Sequence, residues 1–182
     1  MMDLTEKTVS KRTVYEGRIL RLRVDEALLP NGKTAAREVI EHPGGVCVAA
    51  LTENDELLFV RQFRYPYSEL LLELPAGKRD KGEDPLTTGK RELHEETGCS
   101  ADNFLSLGTL YPSPGYFNEI IFLYLATGLH AGDMQPDEDE FLEVERIPLE
   151  KAVQMVMDGA LPDAKTQTAI LKVWQLRQQH KI

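Results

Sequence analysis

Residues 77–99 read GKRDKGEDPLTTGKRELHEETGC, and the second half of this stretch decides the fold. Asp84 suits an N-cap, Pro85 suits the first helical position, and Gly98 is the residue expected just past a helix C-terminus. These signals predict a helix over residues 85–97. On a helical wheel with Glu92 at zero, Glu96 falls at about +40° and Glu95 at about −60°. The three carboxylates thus share an arc of roughly 100°. Beside it runs a stripe of Leu86, Leu93 and Thr97 that would pack on a sheet. The wheel therefore puts the acids at the edge of the buried face.

Like charges at these spacings destabilise a helix by about 0.2–0.5 kcal/mol per pair. Near the C-terminal end they also oppose the helix dipole. Arg91 can neutralise one glutamate, and a divalent cation can neutralise the others. Oxygen-only ligands favour a hard ion, magnesium or manganese, over zinc. Gly89, costly in mid-helix, falls between the acids and the apolar stripe and predicts close approach of another backbone. From the three glutamates alone, a solvated acidic helix with lysine or arginine partners is the better-supported reading.

Outward from the helix the chain is mostly strand. Residues 18–29 and 35–41 flank the turn signal Pro30-Asn31-Gly32 and read as a β-ribbon, which His42-Pro43-Gly44-Gly45 ends. Further strands are expected at 46–51, 57–64, 70–74, 104–110, 119–126 and 141–147, with Pro75-Ala76-Gly77 closing the 70–74 strand and a rigid loop at 112–115. Two helices, 149–158 and about 163–179, finish the chain. Strands with few helices argue for an α+β or α/β sandwich. The expected division is an N-terminal element, 1–43, and a main domain, 44–182.

Composition bounds the function. The net charge of −9 and the lack of a basic stripe speak against nucleic acid as a partner. A small anionic substrate stays possible if a metal or local arginines reverse the sign in one pocket. The longest apolar run, VCVAAL at 46–51, is far short of the ~20 residues that cross a bilayer. The first residues, MMDLTEKTVSKR, lack the apolar core of a secretory signal. Cys47 and Cys99 lack CxxC spacing and sit among apolar residues, as reduced core cysteines do. A cytoplasmic protein is expected.

The spacing of the acidic stretch adds the deciding information. A glycine, five residues, a glutamate, seven residues, then Arg-Glu-aliphatic-any-Glu-Glu-any-Gly-aliphatic resembles the Nudix hydrolase signature. Here the positions are Gly77, Glu83, Arg91, Glu92, Leu93, Glu95, Glu96, Gly98 and Cys99. Only Cys99 departs, as a small hydrophobe where an aliphatic is usual. The resemblance implies hydrolysis of a nucleoside diphosphate linked to another group. It also implies an α/β/α sandwich around a mixed sheet, preceded here by the small antiparallel β element. Carried over by position, Glu92 and Glu96 are the main metal ligands, with Glu95 on a further ion and the Ala76 carbonyl as another donor. Arg91 would orient a box glutamate, Glu83.

Further segments look like the ADP-ribose pyrophosphatase subgroup: AREVIEHPGG (36–45), RQFRYP (61–66), ELPAG (73–77), YPSPG (111–115) and PDAKTQTAI (162–170). That resemblance implies AMP and ribose 5-phosphate as products. It assigns Arg37 and Arg64 to diphosphate or ribose, Glu73 to substrate binding, and Pro114 to the subgroup's marker. The general base falls in the acidic loop GDMQPDEDE (132–140), with Glu138 first and Glu140 in reserve. Subgroup members resemble swapped homodimers in which the N-terminal ribbon completes the partner's site. Arg18 stands where an adenine-stacking aromatic would be sought. Another nucleotide sugar such as GDP-mannose, or a non-catalytic module that binds ADP-ribose, are the alternatives.

Overall fold

The computed structural model describes residues 2–136 and 140–182. Its described residues form two units: one holds the chain up to Gly44 together with Tyr111–Ile120, the other Gly45–Leu110 and Ile121–Ile182.

The first unit is an antiparallel meander of β1 (Lys7–Glu16), β2 (Arg21–Leu28) and β3 (Thr34–Glu41). The turn predicted at Pro30-Asn31-Gly32 joins β2 to β3, with Gly32 at φ +80° and Leu29 N bonded to Lys33 O. All ten β1 residues are exposed. Tyr111–Ile120 lies along β3, tied by Ile40 N to Tyr116 O at 2.8 Å and Asn118 N to Ile40 O at 3.0 Å.

The second unit contains two sheets. One has the order β7-β4-β9-β8, built from β4 (Gly45–Ala50), β7 (Ala76–Lys78), β8 (Ser100–Leu110) and β9 (Ile121–His130). It is mixed, because β4 pairs parallel to β9 and antiparallel to β7. The other has the order β10-β5-β6, from β5 (Glu56–Arg64), β6 (Glu69–Glu73) and β10 (Leu142–Pro148), all antiparallel. Three helices, α1 (Pro85–Thr97), α2 (Leu149–Met157) and α3 (Ala164–Gln178), complete the unit.

Strand β4 explains the layering. Its side chains alternate faces, and every residue is buried, which is why it reads as an unbroken apolar run. Val46, Val48 and Ala50 join Leu93 of α1 in one core. Cys47 and Ala49 join Ala152 of α2 and Ala169, Ile170 and Val173 of α3 in the other. Both cysteines are buried and free.

Two expectations are corrected. Pro75-Ala76-Gly77 does more than close the preceding strand, since Ala76–Lys78 pairs with β4 as a short strand in the register Cys47↔Ala76. Three residues carry no period of their own, so the partner decides. Strand β9 starts at Ile121 rather than at residue 119, because Glu119 is used in the loop by His42 Nδ1 at 3.1 Å.

Candidate active site

Helix α1 begins and ends where its caps predict. The Asp84 carboxylate accepts from Leu86 N and Thr87 N, and Gly98 closes the helix at φ +72° with its N–H on His94 O. Packing of Leu93 against β4 carries the flanking acids inward. Glu92 is 7% exposed and Glu96 2%, deeper than the edge position the wheel predicts. The added cover is β7: Ala76 N donates to Glu96 Oε2 at 2.9 Å, and a Cβ on Gly77 would lie 2.0 Å from Glu92 Cδ. Gly77 makes room for a carboxylate. Gly89 is also corrected, because Val46, Val48 and Tyr124 side chains, not a backbone, occupy the space beside it.

Arg91 gathers the remaining acids. Its Nε and Nη2 reach Glu83 at 3.3 and 3.1 Å, and its Nη1 reaches Glu92 Oε1 at 2.9 Å and Glu95 Oε2 at 2.8 Å. Nη2 also bonds Lys78 O. Glu83 is further held by Thr88 Oγ1 at 2.8 Å and Asp80 N at 3.2 Å. Sequence reading missed Arg79, which anchors this loop by donating to Glu83 O at 2.5 Å and lying 5.2 Å over the Phe122 ring.

The charges are unequally matched. Hydrogen bonds from Arg91, then Thr88, hold the Glu83 carboxyl down at about 2. Burial pushes Glu92 up to about 7 against the pull of Arg91, and Glu95 and Glu140 push it further. Burial likewise lifts Glu96 to about 8, opposed by the Ala76 N–H and reinforced by Glu92 and Glu140. Glu140 therefore bears electrostatically on both buried acids. The chain leading to it is tied to α1, since Gln135 N donates to Glu95 O at 3.0 Å. Glu138 lies outside the described residues.

Among the described residues no three His, Cys, Asp or Glu side chains already converge on one point as a finished metal cage, since Arg91 draws Glu92 and Glu95 to itself and Ala76 N engages Glu96. The donor chemistry nevertheless fits a hard divalent cation. Glu92 and Glu96 are buried oxygen donors with too little positive charge beside them, and the cradle at Gly77 keeps space for one of them.

Residues 41–168 match the family model described as NUDIX domain. The chain belongs to the Nudix family. Residues 6–40 match the nucleoside diphosphate sugar hydrolase N-terminal domain. A Bacillus subtilis (strain 168) ADP-ribose pyrophosphatase is 42% identical, with 93% of each chain covered. A Bacillus methanolicus methanol dehydrogenase activator is 41% identical, covering 91% of this chain and 90% of the relative. A crystal structure of an ADP compounds hydrolase superposes with a TM-score of 0.86 over 99% of each chain at 24% identity, a likeness of fold. This Nudix chain thus has the α/β/α layering that the resemblance implies, with its α+β character and antiparallel N-terminal strands.

The other candidate residues of this Nudix chain fall into separate groups. Glu73, 2% exposed, takes Arg64 through two parallel bonds, Nε to Oε1 at 2.7 Å and Nη2 to Oε2 at 2.8 Å. Lys165 Nζ also reaches Glu73 Oε2. Burial works to raise Glu73, yet Arg64 and Lys165 overcome it and bring the carboxyl to about 2. The Arg64 charge is felt at Glu96, so this group adjoins the acidic helix. Arg37 and Pro114 belong to the N-terminal unit. Arg37 pairs with Glu6 at 2.6 Å, and Pro114 is exposed in the loop whose Ser113 O accepts from Phe117 N. Arg18 lies in the turn closed by Gly17 N to Leu20 O. Sequence reading gave Lys165 no role. Its one signal is a cation in the first turn of a helix, where the dipole disfavours it.

Proposed function

We propose that the chain is a magnesium- or manganese-dependent pyrophosphatase that cleaves ADP-ribose with water to AMP and ribose 5-phosphate. The observation that carries this is the pair of buried, under-neutralised acids, Glu92 and Glu96, on one face of α1. The substrate class is supported by the match of residues 6–40 and by the ADP-ribose pyrophosphatase relative.

Glu92 and Glu96, with Glu95 and the Ala76 carbonyl, would hold the ions. A bound divalent ion supplies positive charge that polarises phosphoryl oxygens and makes water a better nucleophile. Arg91 keeps the acids from splaying, and Glu83 fixes Arg91. Arg64 and Arg37 suit the diphosphate, because a guanidinium fork reads phosphate oxygens in pairs; Glu73 serves by presenting Arg64. Pro114, the subgroup's marker, is counted among the substrate contacts. Glu138, or Glu140 in reserve, takes the proton from the attacking water. Of the two, only Glu140 is described, and its influence on both buried acids supports a place in the reaction.

The N-terminal element, 1–43, serves dimerisation and substrate contact. Support comes from β1, exposed along its whole length and presenting Val9, Val14 and Tyr15. Among the described residues no helix is long and apolar enough to cross a membrane. The test is incubation with ADP-ribose, GDP-mannose and other nucleoside diphosphate sugars, with and without magnesium, followed by chromatography. Magnesium-dependent AMP from ADP-ribose, faster than hydrolysis of the rest, is expected. Tight binding of ADP-ribose without AMP would refute the enzymatic reading.

A further inference from the structure

We propose that Lys165 is a positioning residue that fixes Arg64 for substrate through the buried carboxylate of Glu73; this rests on the reading of Arg64 as a substrate-binding residue.

Two cations converge on one buried acid. Arg64 spends its Nε and Nη2 edge on the two Glu73 oxygens. Its Nη1 makes no hydrogen bond among the described residues, so one edge of the fork is left for a ligand anion. With Arg64 as its only partner, Glu73 could turn about its terminal torsion, which is broad and soft, and the paired geometry would be lost. Lys165 Nζ on Oε2 removes that freedom from the opposite side.

Lys165 is itself held. Its side chain is 13% exposed, and its Nζ lies 3.0 Å from Asp163 Oδ2. Asp163 is the N-cap of α3, and the same oxygen accepts from Thr166 N at 3.0 Å. Thr166 Oγ1 then accepts from Leu74 N at 3.0 Å. Consecutive residues of α3, Lys165 and Thr166, thus clamp consecutive residues Glu73 and Leu74. Burial disfavours a charge on Lys165, but Asp163 and Glu73 hold it above the ordinary lysine value. The ammonium is therefore charged, and the group contains two cations and two acids. A carboxylate needed only to anchor Arg64 would not require a buried ammonium, which is costly to desolvate. Without it, two acids would compete for Arg64 and draw it inward.

The experiment is a kinetic double-mutant cycle of Lys165→Met and Arg64→Ala, on the fastest-cleaved substrate of the nucleoside diphosphate sugar panel. Lys165→Met is expected to raise KM about tenfold with kcat within about threefold, and to change KM by less than about twofold in the Arg64→Ala background. Lys165→Arg should recover most of the lost affinity. Equal factors in both backgrounds, or a fall in kcat alone, would overturn the proposal while leaving Arg64 as assigned. An Arg64→Ala protein with unchanged KM would overturn both the assignment of Arg64 and this inference. If Lys165→Met does not fold by circular dichroism, Lys165→Gln takes its place. Failure of that variant to fold also counts against a positioning role, making Lys165 a folding residue.

Discussion

Stripping divalent ions and raising the pH should destabilise this fold, and Glu96→Gln should remove most of that sensitivity. Burial holds the Glu96 carboxyl up at about 8, from an ordinary 4.5. Below pH 4.5 the group is protonated in both folded and unfolded chains, and its favourable contribution is complete. As pH rises through about 8, the folded state must give up the proton, and that contribution is lost. Glu92, pushed up to about 7, acts in the same direction. Glu73 and Glu83, held at about 2, carry the opposite sign, and their effect falls below pH 4.5, outside this window. About 1.4 kcal/mol accompanies each pH unit over which only the folded state keeps a proton, so roughly 2–4 kcal/mol is expected between about pH 5 and 9. For a chain of this size that is about 4–16 °C in melting temperature. Thermal unfolding followed by circular dichroism in chelator, across that range, measures it. The Glu96→Gln protein should give a flatter profile and melt above the parent at about pH 8, its new amide oxygen still able to accept from Ala76 N. Saturating magnesium should raise the parent's melting temperature most at high pH, because it binds the ionised acids of the folded state. A chelated parent protein whose melting temperature stays level or rises across the same pH range would refute the reasoning.

Two glycine substitutions separate chemistry from stability. Gly77→Ala places a methyl 2.0 Å from Glu92 Cδ, at the end of a side chain that can swing away. Turnover should fall about 100-fold, while the unfolding free energy in urea changes by less than about 1 kcal/mol. Gly98→Ala meets both a positive φ and the Gly132 backbone oxygen at 2.4 Å, neither of which can yield cheaply. A loss of about 2–4 kcal/mol in the same urea titration is expected.

Much of this molecule is legible locally. Helix α1 follows its caps to the residue, since Asp84, Pro85 and Gly98 act within a turn of where they stand. Strand β4 announces its burial on both faces by an unbroken apolar run. The acidic constellation is legible as spacing, because an α-helix turns sequence intervals into angles. What lies beyond the reading depends on partners distant in the chain. The depth of Glu92 and Glu96 comes from β7, a strand that exists only through pairing with β4. Gly89 admits β4 and β9 side chains, which a wheel cannot show. The hold on Glu73 joins residues 92 positions apart, and no periodicity reports such a meeting.

The central claim, that Glu92 and Glu96 hold a hard cation for pyrophosphate cleavage, is tested most directly by manganese titration followed by electron paramagnetic resonance. The free-ion signal should be quenched by the parent protein and remain when a folded Glu92→Gln/Glu96→Gln protein is titrated in the same way. Equal quenching by both proteins would contradict the account.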